Sequence, residues 1–262
     1  MAEDRRDHAT PPFSGLPVLM SDWDRIFDEL YLRTYAPLQQ PEDAETQAEA
    51  VARLLGLVTA ADVLDCPCGY GRHAIPLGRA GFHVVGADRS PVLLAEAERR
   101  AGDVYWPRFV EADYRELPFE DASFDCVTNL FSSLGYWGEE GDLEALREFR
   151  RVLRADGSLV VETMHRDRLI AVFQRASWEE LPDGALMIEK RVFDPIEGVV
   201  HVEHGVVEPD GRRVSVPYEI RAYTATELSR LVRQAGFEEV SCYGDLDGGP
   251  LSSETRLVVV AR

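Results

Sequence analysis

Lysine is almost missing from this chain, and so are several features that mark particular classes of protein. Among the 28 basic residues of the 262-residue sequence, only Lys190 is a lysine, so no other position can form a Schiff base with a carbonyl substrate. No run of about 18 apolar residues occurs, which excludes a transmembrane helix. Because the charged first ten residues also lack the apolar core of a secretory signal, we expect a cytoplasmic protein without a membrane partner.

Cysteine is scarce, and its spacing marks neither a disulfide framework nor a zinc site. Cys66 and Cys68 form a CxC pair, but no His or Cys cluster lies near enough in sequence to complete four ligands. The remaining two, Cys126 and Cys242, stand alone in apolar stretches. We therefore expect buried free thiols in a reducing compartment and no metal site.

Positive charge is in short supply as well. The 28 Lys and Arg residues face 47 Asp and Glu residues, which gives a formal net charge of −19. Non-specific affinity for nucleic acids comes mostly from cations that displace counterions from phosphates. The composition therefore argues against a nucleic-acid partner and favours a small-molecule substrate, with the protein a monomer or a homodimer.

Short apolar strands alternate with helical segments from residue 62 onward. Strands are predicted at 62–65, 83–88, 109–111, 124–130 and 158–162. The helices between them have the usual signals, such as the Ser90-Pro91 start and the amphipathic stretch 142–153. This alternation predicts an α/β fold with a parallel sheet that is covered by helices on both faces.

Two helices, at 22–35 and from Pro41 to about Gly56, are predicted before the first strand. The Pro-rich, charged segment 1–20 is predicted to be a mobile tail. We expect residues 21–262 to form a single domain.

The alternation breaks between residues 185 and 223. Three strand-like runs there are separated by turn sequences at 194–198 and 208–211, which predicts an antiparallel meander inserted as a cap at about 178–223. A capping box at 224–227 then opens a helix that Gly236 ends. Two strands, near 240–243 and 256–261, close the chain.

Acidic residues follow three neighbouring strands of the predicted sheet. Asp65 ends the first strand and precedes Gly69 and Gly71, whose lack of side chains lets the backbone approach a ligand. Asp88 ends the second strand and can accept hydrogen bonds from both hydroxyls of a ribose, and Asp113 follows the third. Since ligands bind beyond the carboxyl ends of such strands, the three acids are predicted to ring one crevice.

Two kinds of nucleotide-like cofactor fit a glycine loop followed by a ribose-binding acid. The run 69–74 satisfies the GxGxxA dinucleotide pattern. However, Asp65 stands where a pyrophosphate would pass, and Asp113 lies in the adenine position. A cofactor with a sulfonium and an ammonium group but no phosphate suits an acid-lined pocket better.

Five segments carry a resemblance to a known family: VLDCPCGYGRHA (63–74), VVGADRSPVLLAEA (84–97), FVEADYRELPF (109–119), FDCVTNLFSSLGY (124–136) and EFRRVLRADGSLVVET (148–163). Over about residues 41–262 the chain resembles the class I S-adenosylmethionine-dependent methyltransferases. The resemblance implies a Rossmann-like seven-stranded sheet whose last strand is antiparallel. It also implies S-adenosylmethionine as the cofactor.

The family pattern assigns roles to individual positions. It puts Asp65, Gly69 and Gly71 beside the methionine part of the cofactor. The residues it implies for the rest of the cofactor are Asp88 at the ribose, Asp113 and Tyr114 at the adenine, and Asn129 and Leu130 under the methionine portion. Arg89, next to Asp88, is also predicted to bind the cofactor, and Tyr35 of the N-terminal helix is predicted to close over it. One position departs from the pattern, because Pro67 replaces the family's first glycine.

The acceptor side is predicted from the residues that follow the later strands. The FSSLGY run and the inserted sheet are loosely similar to amino-sugar N-methyltransferases and to glycine or sarcosine methyltransferases, in which the insertion covers the acceptor pocket. An amine or a hydroxyl acceptor is therefore expected, attacking the methyl group in line. Ser132, Tyr136 and Trp137 are predicted to form one wall, and Arg221 with Tyr223 another.

Histidine is the side chain best suited to act as a general base near neutral pH. His165, two residues beyond the fifth strand, is the candidate catalytic base. His201 and His204 are predicted to be surface residues of the insertion, and His73 is predicted to pack in the core.

Three alternatives to a small-molecule methyltransferase stay open on the sequence. One is an NAD-type oxidoreductase, on the strength of the glycine loop. Another is a nucleic-acid methyltransferase, although the run at 129–132 is not Asn/Asp-Pro-Pro-Tyr. The last is a protein that binds the cofactor without catalysis.

Overall fold

A computed structural model of the protein describes residues 23–39 and 41–262, so the predicted tail at 1–20 lies outside the described residues. In the described part the chain forms eleven strands and eight α-helices. The strands are β1 (Asp62–Asp65), β2 (His83–Asp88), β3 (Arg108–Glu111), β4 (Phe124–Asn129), β5 (Leu153–Thr163), β6 (Ala176–Glu180), β7 (Leu186–Asp194), β8 (Val199–Val207), β9 (Arg213–Arg221), β10 (Val240–Tyr243) and β11 (Leu257–Ala261). The helices are α1 (Trp23–Ile26), α2 (Glu29–Thr34), α3 (Pro41–Leu55), α4 (Ala74–Arg79), α5 (Pro91–Ala101), α6 (Gly138–Val152), α7 (Arg166–Ala171) and α8 (Ala225–Gln234).

Seven strands form the main sheet, in the order β10-β11-β5-β4-β1-β2-β3. Strands β1 to β5 are parallel, whereas β11 runs antiparallel to both β5 and β10. The central strands are apolar along most of their length because both faces of the sheet are covered. The predicted Rossmann-like sheet with an antiparallel last strand is confirmed.

The core lies on both faces of this sheet. Helices α6 and α8 pack on one face through side chains such as Phe149 and Leu228. On the other face lie α3, α4 and α5, with Val51, Leu77 and Leu94 among the buried side chains. All helices that cover the sheet therefore leave its carboxyl edge open.

The cysteines follow the prediction of free thiols. Cys66, Cys68 and Cys126 are buried and Cys242 is half-buried, and each is free of a disulfide. No helix within residues 23–39 and 41–262 is long and apolar enough to cross a membrane.

Local capping signals fix where two of the helices begin. The Ser90 hydroxyl accepts a hydrogen bond from the Leu93 N–H at 3.2 Å at the start of α5. At α8, Thr224 and Glu227 form the reciprocal capping box that the sequence predicted. Helix α6, by contrast, begins four residues before the predicted start at Asp142, because Asp142 accepts buried hydrogen bonds instead of capping the helix.

A second sheet of four antiparallel strands, β6-β7-β8-β9, forms the cap sheet. It confirms the predicted meander and adds β6, which precedes the three strands predicted within 185–223 and overlaps the start of the predicted cap at about 178. Four of the five positions in β6 are exposed, so the segment lacks the apolar alternation by which a half-buried strand is recognised. On the neighbouring strands, Lys190 of β7 lies 3.4 Å from the Glu203 carboxylate of β8.

The predicted helix at 22–35 is divided in two. Asp28 caps α2 by accepting a hydrogen bond from the Leu30 N–H at 2.8 Å, so the chain turns between α1 and α2. Arg33 of α2 then forms a bidentate ion pair with Glu208, at 2.7 and 2.8 Å, and a further pair with Asp183 at 2.8 Å. These contacts fix α2 to the cap sheet.

Candidate functional site

A cavity of about 480 Å³ lies between the carboxyl edge of the main sheet and the cap sheet. We call the part lined by the loops after β1 to β4 the sheet half, and the part lined by the cap sheet, α1 and α2 the cap half. Ten predicted site residues line the cavity: Tyr35, Gly69, Asp88, Arg89, Asp113, Tyr114, Leu130, Ser132, Tyr136 and Trp137. Six others are not part of its lining: Asp65, Gly71, Asn129, His165, Arg221 and Tyr223.

The loop after β1 brings backbone, and not side chains, to the cavity. Gly69 has a φ of +55° and no atom within 4 Å of the place where a side chain would begin, so its backbone faces open space. Gly71, with a φ of +81°, packs below, where an added Cβ would lie 2.9 Å from Ile75. Pro67, the departure from the family pattern, lies in the cavity wall, and the loop still closes through the Gly71 N–H to Cys68 carbonyl bond of 3.0 Å.

Asp88 presents its carboxylate to the sheet half. It is 5% exposed, and its two oxygens accept the N–H groups of Gly69 at 2.8 Å and of Ser90 at 2.9 Å. Burial raises the pKa of Asp88, although these backbone donors act against the rise. Because a carboxylate has about four acceptor positions, two remain for hydroxyl groups of a ligand.

Asp113 lies farther along the same wall and is held by Arg115. Its oxygens accept from the Arg115 backbone at 2.9 Å and from its guanidinium at 3.0 and 2.7 Å. Partial burial acts to raise the pKa of Asp113, but the Arg115 hydrogen bonds outweigh burial and lower it. The guanidinium groups of Arg115 and Arg89 also contact the Trp137 ring, at 3.6 and 5.2 Å from its centroid. Trp137 therefore lies at the Asp113 end of the cavity.

Asp65 and Asn129 lie under the sheet half and join β1 to β4. The Thr128 hydroxyl donates to Asp65 Oδ1 at 2.7 Å, and the Asn129 amide donates to the Cys66 carbonyl at 2.9 Å. Asp65 Oδ2 and Asn129 Oδ1 are buried without a hydrogen bond of normal geometry to any described residue. Burial raises the pKa of Asp65 to about 7.

Two residues that were predicted to line the acceptor site instead join the cap to α6, and the predicted base lies apart from both. The Tyr223 hydroxyl donates to Asp142 at 2.5 Å, and Arg221 lies 3.1 Å from Glu139. The His165 ring is 4% exposed; its Nδ1 lies 3.2 Å from a backbone carbonyl at Ser252. The structure thus places the predicted base outside the cavity.

A buried polar cluster that sequence reasoning missed lies in the cap half. The Tyr35 hydroxyl donates to Glu189 Oε1 at 2.5 Å, and the same oxygen lies 3.2 Å from His204 Nδ1. Arg191 donates to the other oxygen of Glu189. His204 Nε2 is 3.0 Å from the Thr34 hydroxyl of α2. This cluster joins the cap sheet to α2 at the cavity wall.

The prediction that His204 is a surface residue is wrong, because its ring is fully buried. The alternation of β8 carried the signal: Val200, Val202, His204 and Val206 share one face of the strand. A histidine on the apolar face of a strand needs partners, and here Glu189 and Thr34 supply them.

Electrostatics set the state of the groups that face the cap half. Burial acts to raise the pKa of Glu189, but the hydrogen bond from His204 and the charge of Arg191 outweigh it and hold the pKa below the ordinary value. Burial raises the pKa of Tyr35 well above that of a free phenol. At neutral pH Glu189 is therefore an ionised carboxylate, and it accepts a hydrogen bond from the neutral hydroxyl of Tyr35.

The arrangement in the sheet half fits S-adenosylmethionine. Asp88 retains acceptor positions for two ribose hydroxyls, and the Gly69 backbone faces open space where an elongated chain can lie. Buried carboxylates at Asp65 and Asp88 favour a cationic ligand. The Gly69 N–H, which a diphosphate at this loop would need, is already donated to Asp88.

The fold and this site define the class: the chain belongs to the class I S-adenosylmethionine-dependent methyltransferases of the small-molecule type, and S-adenosylmethionine is its cofactor. The Methyltransferase domain family matches residues 63–157. The glycine/sarcosine N-methyltransferase of Parasynechococcus marenigrum (strain WH8102) is 30% identical over 233 residues, which cover 85% of this chain and 75% of that protein. The glycine loop alone is compatible with a dinucleotide or with S-adenosylmethionine. Membership of this family identifies S-adenosylmethionine as the cofactor.

Solved structures share the fold over most of its length. The CcbJ methyltransferase from Streptomyces caelestis superimposes with a TM-score of 0.77 at 24% identity, covering 90% of this chain and 95% of that one. The amino pentose methyltransferase CalS10 from Micromonospora echinaspora, solved with S-adenosylmethionine bound, has a TM-score of 0.67 at 23% identity, with 89% and 96% covered.

Proposed function

We propose that this enzyme transfers a methyl group in line to an amine nitrogen of a small acceptor bound in the cap half of the cavity. The observation that carries the proposal is the Tyr35–Glu189 pair, held by Arg191, in a chamber whose other lining residues are mainly aromatic and apolar. The chamber is lined by Phe27, Tyr31, Tyr136, Val200, Val202, Tyr218 and Ile220.

The sheet half is proposed to hold the cofactor. S-adenosylmethionine supplies, when bound, a methyl group on a positively charged sulfur. Asp88 would accept hydrogen bonds from the ribose hydroxyls, while Asp113 with Tyr114 would face the adenine. Gly69 and Leu130 would lie along the methionine portion. In-line displacement depends mainly on positioning in a water-poor cavity. These contacts would therefore supply a large part of the rate enhancement.

Tyr35 is proposed to orient the acceptor nitrogen. Its hydroxyl proton is committed to Glu189, and its oxygen also shares a hydrogen bond with the Tyr218 hydroxyl, so one lone pair remains for an acceptor N–H. A hydrogen bond of this kind would direct the nitrogen lone pair away from Tyr35. Glu189, whose two oxygens are hydrogen-bonded to Tyr35, His204 and Arg191, would hold the Tyr35 proton on the side away from the acceptor.

The ionisable groups of the chamber favour an amine over a hydroxyl. A hydroxyl must lose a proton to attack, whereas a neutral amine attacks as it stands and loses its proton afterwards. Of the described histidines only His73 lines the cavity, and burial lowers its pKa to about 3, which makes it a weak base. Glu189 is likewise a weak base, since its pKa lies below the ordinary value.

The names of similar proteins agree with an amine acceptor. One relative is a glycine/sarcosine N-methyltransferase, and one structural neighbour is an amino pentose methyltransferase. The absence of a nucleic-acid partner, a monomeric or dimeric state, a cytoplasmic location and a single domain over residues 21–262 stay predictions.

Product analysis tests the proposal. The enzyme would be incubated with S-adenosylmethionine labelled in its methyl group and a bacterial metabolite extract, and labelled products would be identified by mass spectrometry. We expect the label on nitrogen. Label found on oxygen or carbon would contradict the amine assignment while leaving methyl transfer intact.

The variant Tyr35→Phe tests the orienting role on whichever acceptor is identified. It removes one buried hydrogen bond, worth about 1–3 kcal/mol, so we expect kcat/KM to fall about 10- to 100-fold with S-adenosylhomocysteine affinity unchanged. The exposed Tyr105→Phe serves as the matched control. Equal kcat/KM in wild type and Tyr35→Phe would refute the role.

A further inference from the structure

Two arginines of the cavity wall lie near the same phenylalanine ring. The guanidinium carbon of Arg72 lies 4.9 Å from the centroid of the Phe131 ring, and that of Arg256 lies 6.0 Å from the same centroid. Arg72, Phe131 and Arg256 all line the cavity. Such a pair of cations is unexpected in a chain with a net charge of −19.

Only one of the two cations has a carboxylate partner among the described residues. Arg256 donates through Nε to Glu162 and through Nη2 to the Ser132 hydroxyl at 2.7 Å. Arg72 has a 3.3 Å contact from Nη1 to the neutral ring of His73, and its Nε is buried without a hydrogen bond to the described chain. One positive charge therefore remains uncompensated at the cavity wall.

The backbone beside the two arginines adopts a strained conformation at Phe131 and Ser132. Phe131 and Ser132 both adopt left-handed conformations, with φ of +61° and +60°, which cost energy in residues with side chains. Glu162 holds them there: its carboxylate accepts the Phe131 N–H at 2.7 Å, and its carbonyl accepts the Ser132 N–H at 3.0 Å. One buried acid thus positions both the strained loop and Arg256.

We propose that Arg72 and Arg256 together bind a carboxylate group carried by the methyl acceptor. The inference rests on the proposed function and narrows it to amines that also bear a carboxylate. Each guanidinium retains unused N–H donors in a planar array that suits a carboxylate. The uncompensated positive charge of the pair matches one negative charge on the ligand.

The position of Arg256 is far from the ribose end of the cofactor and near the acceptor side of the sheet. Arg256 directly precedes β11, whose first residue pairs with Thr163 at the end of β5. Asp88, at the ribose position, ends β2, four strand spacings from β11 in the sheet order, or about 19 Å. The cofactor is proposed to lie over β1 to β4, with Arg72 beside its methionine portion, whereas Arg256 lies beyond β5. The pair therefore lies where the proposed cofactor and the proposed acceptor meet.

The protonation equilibrium of Arg256 agrees with a site built for an anion. Burial and the charge of Arg72 lower the pKa of Arg256 to about 10, so the side chain is charged at neutral pH. Bringing two like charges together costs free energy that a bound anion recovers.

Matched amines that differ only in the anionic group test the proposal. Sarcosine would be compared with N-methylethanolamine, and N-methylphenylalanine with N-methylphenylalaninol. Binding to the enzyme saturated with S-adenosylhomocysteine would be measured by saturation-transfer NMR, and methyl transfer from labelled S-adenosylmethionine would be measured in parallel. We expect the carboxylate member of at least one pair to bind about tenfold more tightly, about 1.4 kcal/mol.

Arginine variants assign that preference to the proposed residues. Arg72→Gln should abolish the carboxylate preference, with the exposed Arg99→Gln as control. Arg256→Gln leaves Glu162 without its cation, so the double variant Glu162→Gln/Arg256→Gln is used if the single variant does not fold. Arg72→Lys keeps the charge but not the planar donor pair, so it should restore the preference only in part.

The outcomes separate this inference from the proposed function. Equal binding of both members of both pairs, or a preference that survives in Arg72→Gln, would overturn the carboxylate site whether or not an amine is methylated. If Arg72→Gln weakens S-adenosylhomocysteine but not 5′-methylthioadenosine, which lacks the amino-acid end, the arginines hold the cofactor and the inference fails. Carboxylate preference without transfer to any amine would support the site and count against the amine proposal.

Discussion

Asp88 divides its acceptor positions between the protein and a ligand. Two backbone N–H groups hold the carboxylate at the cavity wall, so its remaining lone pairs are oriented before any ribose arrives. Pre-orientation of this kind lowers the entropic cost of binding. In the proposed cofactor site, Asp88 would therefore couple the geometry of the Gly69 loop to cofactor affinity.

The variant Asp88→Ala is expected to lose most of its affinity for S-adenosylhomocysteine. Two hydrogen bonds to a charged acceptor, each worth about 1.5–3 kcal/mol, correspond to at least about a 100-fold rise in Kd. Calorimetric titration measures the change, with the exposed Asp103→Ala as control. Affinity within a few-fold of wild type would remove Asp88 from the cofactor site.

Asp65 should make stability depend on pH. Its pKa is raised to about 7 in the folded protein and is about 3.9 in the unfolded chain. The protonated form is thus favoured on folding, and the stabilisation present below about pH 4 is lost as pH rises through 7, by up to about 4 kcal/mol.

The test compares Asp65→Asn with wild type without cofactor, by thermal unfolding between pH 5 and pH 8. The difference in melting temperature should shift in favour of the variant as pH rises, because Asn does not ionise. The exposed Asp121→Asn should show no such trend. A constant difference across this range would show that the Asp65 carboxyl does not titrate as described.

Strand ends could be read from the sequence, but the depth of a side chain could not. Asp88 and Asp113 reach the cavity as predicted, whereas Asp65, at an equivalent strand end, turns to the Thr128 hydroxyl beneath it. His204 shows the converse, since its partners Glu189 and Thr34 are distant in sequence. Hydrogen bonds between residues of different helices and strands determine how deeply these side chains are buried. Such contacts cannot be identified from a single sequence.

Helices and strands were predictable where the signal was local. Strands β1, β2 and β10 have the predicted bounds, since each is a short apolar run between turn residues. The failures are elements whose limits depend on tertiary contacts: the break between α1 and α2, and the exposed strand β6.

The junction between the cap sheet and the main domain depends on Gly135. Its N–H is donated to Asp142 at 3.0 Å, and its carbonyl accepts the Arg221 N–H at 2.8 Å. At a φ of +111°, an added Cβ would lie 2.4 Å from the Arg221 carbonyl oxygen. The Arg221 backbone cannot move away from the new Cβ as the end of a flexible side chain could.

The variant Gly135→Ala is therefore expected to lower the melting temperature by about 5–10 °C, at about 2–4 °C per kcal/mol for a chain of this size. Gly184→Ala is the matched control, because Gly184 has a φ of +81° but nothing within 4 Å of the new Cβ. It should cost only the backbone strain of about 1 kcal/mol. Equal effects of the two variants would show that the close approach to Arg221 is not limiting.

Charge is distributed unevenly over the molecule. The net charge is −19, yet the described cavity is lined by Arg72, Arg89, Arg191 and Arg256. A small anion that reaches the cavity meets cations, whereas a polyanion must first approach the acidic exterior. We therefore expect the acidic exterior to disfavour polyanions more than small ligands.

Nucleic acids are expected not to bind even at low ionic strength. Phosphate contacts strengthen as salt is reduced, so gel-shift measurements in about 50 mM salt with duplex DNA and with transfer RNA are the most permissive test. Neither should bind at about 10 μM protein, within the usual range of non-specific affinity. A shift that disappears on adding salt would reveal a basic surface that the composition does not suggest.

The position of Lys190 gives this protein a natural attachment point. Its ammonium group is more than half exposed on the cap sheet, beside Glu203, and no second lysine exists in the sequence. A dye that reacts with amines will therefore label the cap sheet at Lys190 and, besides it, only the amine at the start of the chain. Fluorescence anisotropy of the Lys190 label could then follow, in the unmutated enzyme, how the cap sheet responds when each ligand arrives.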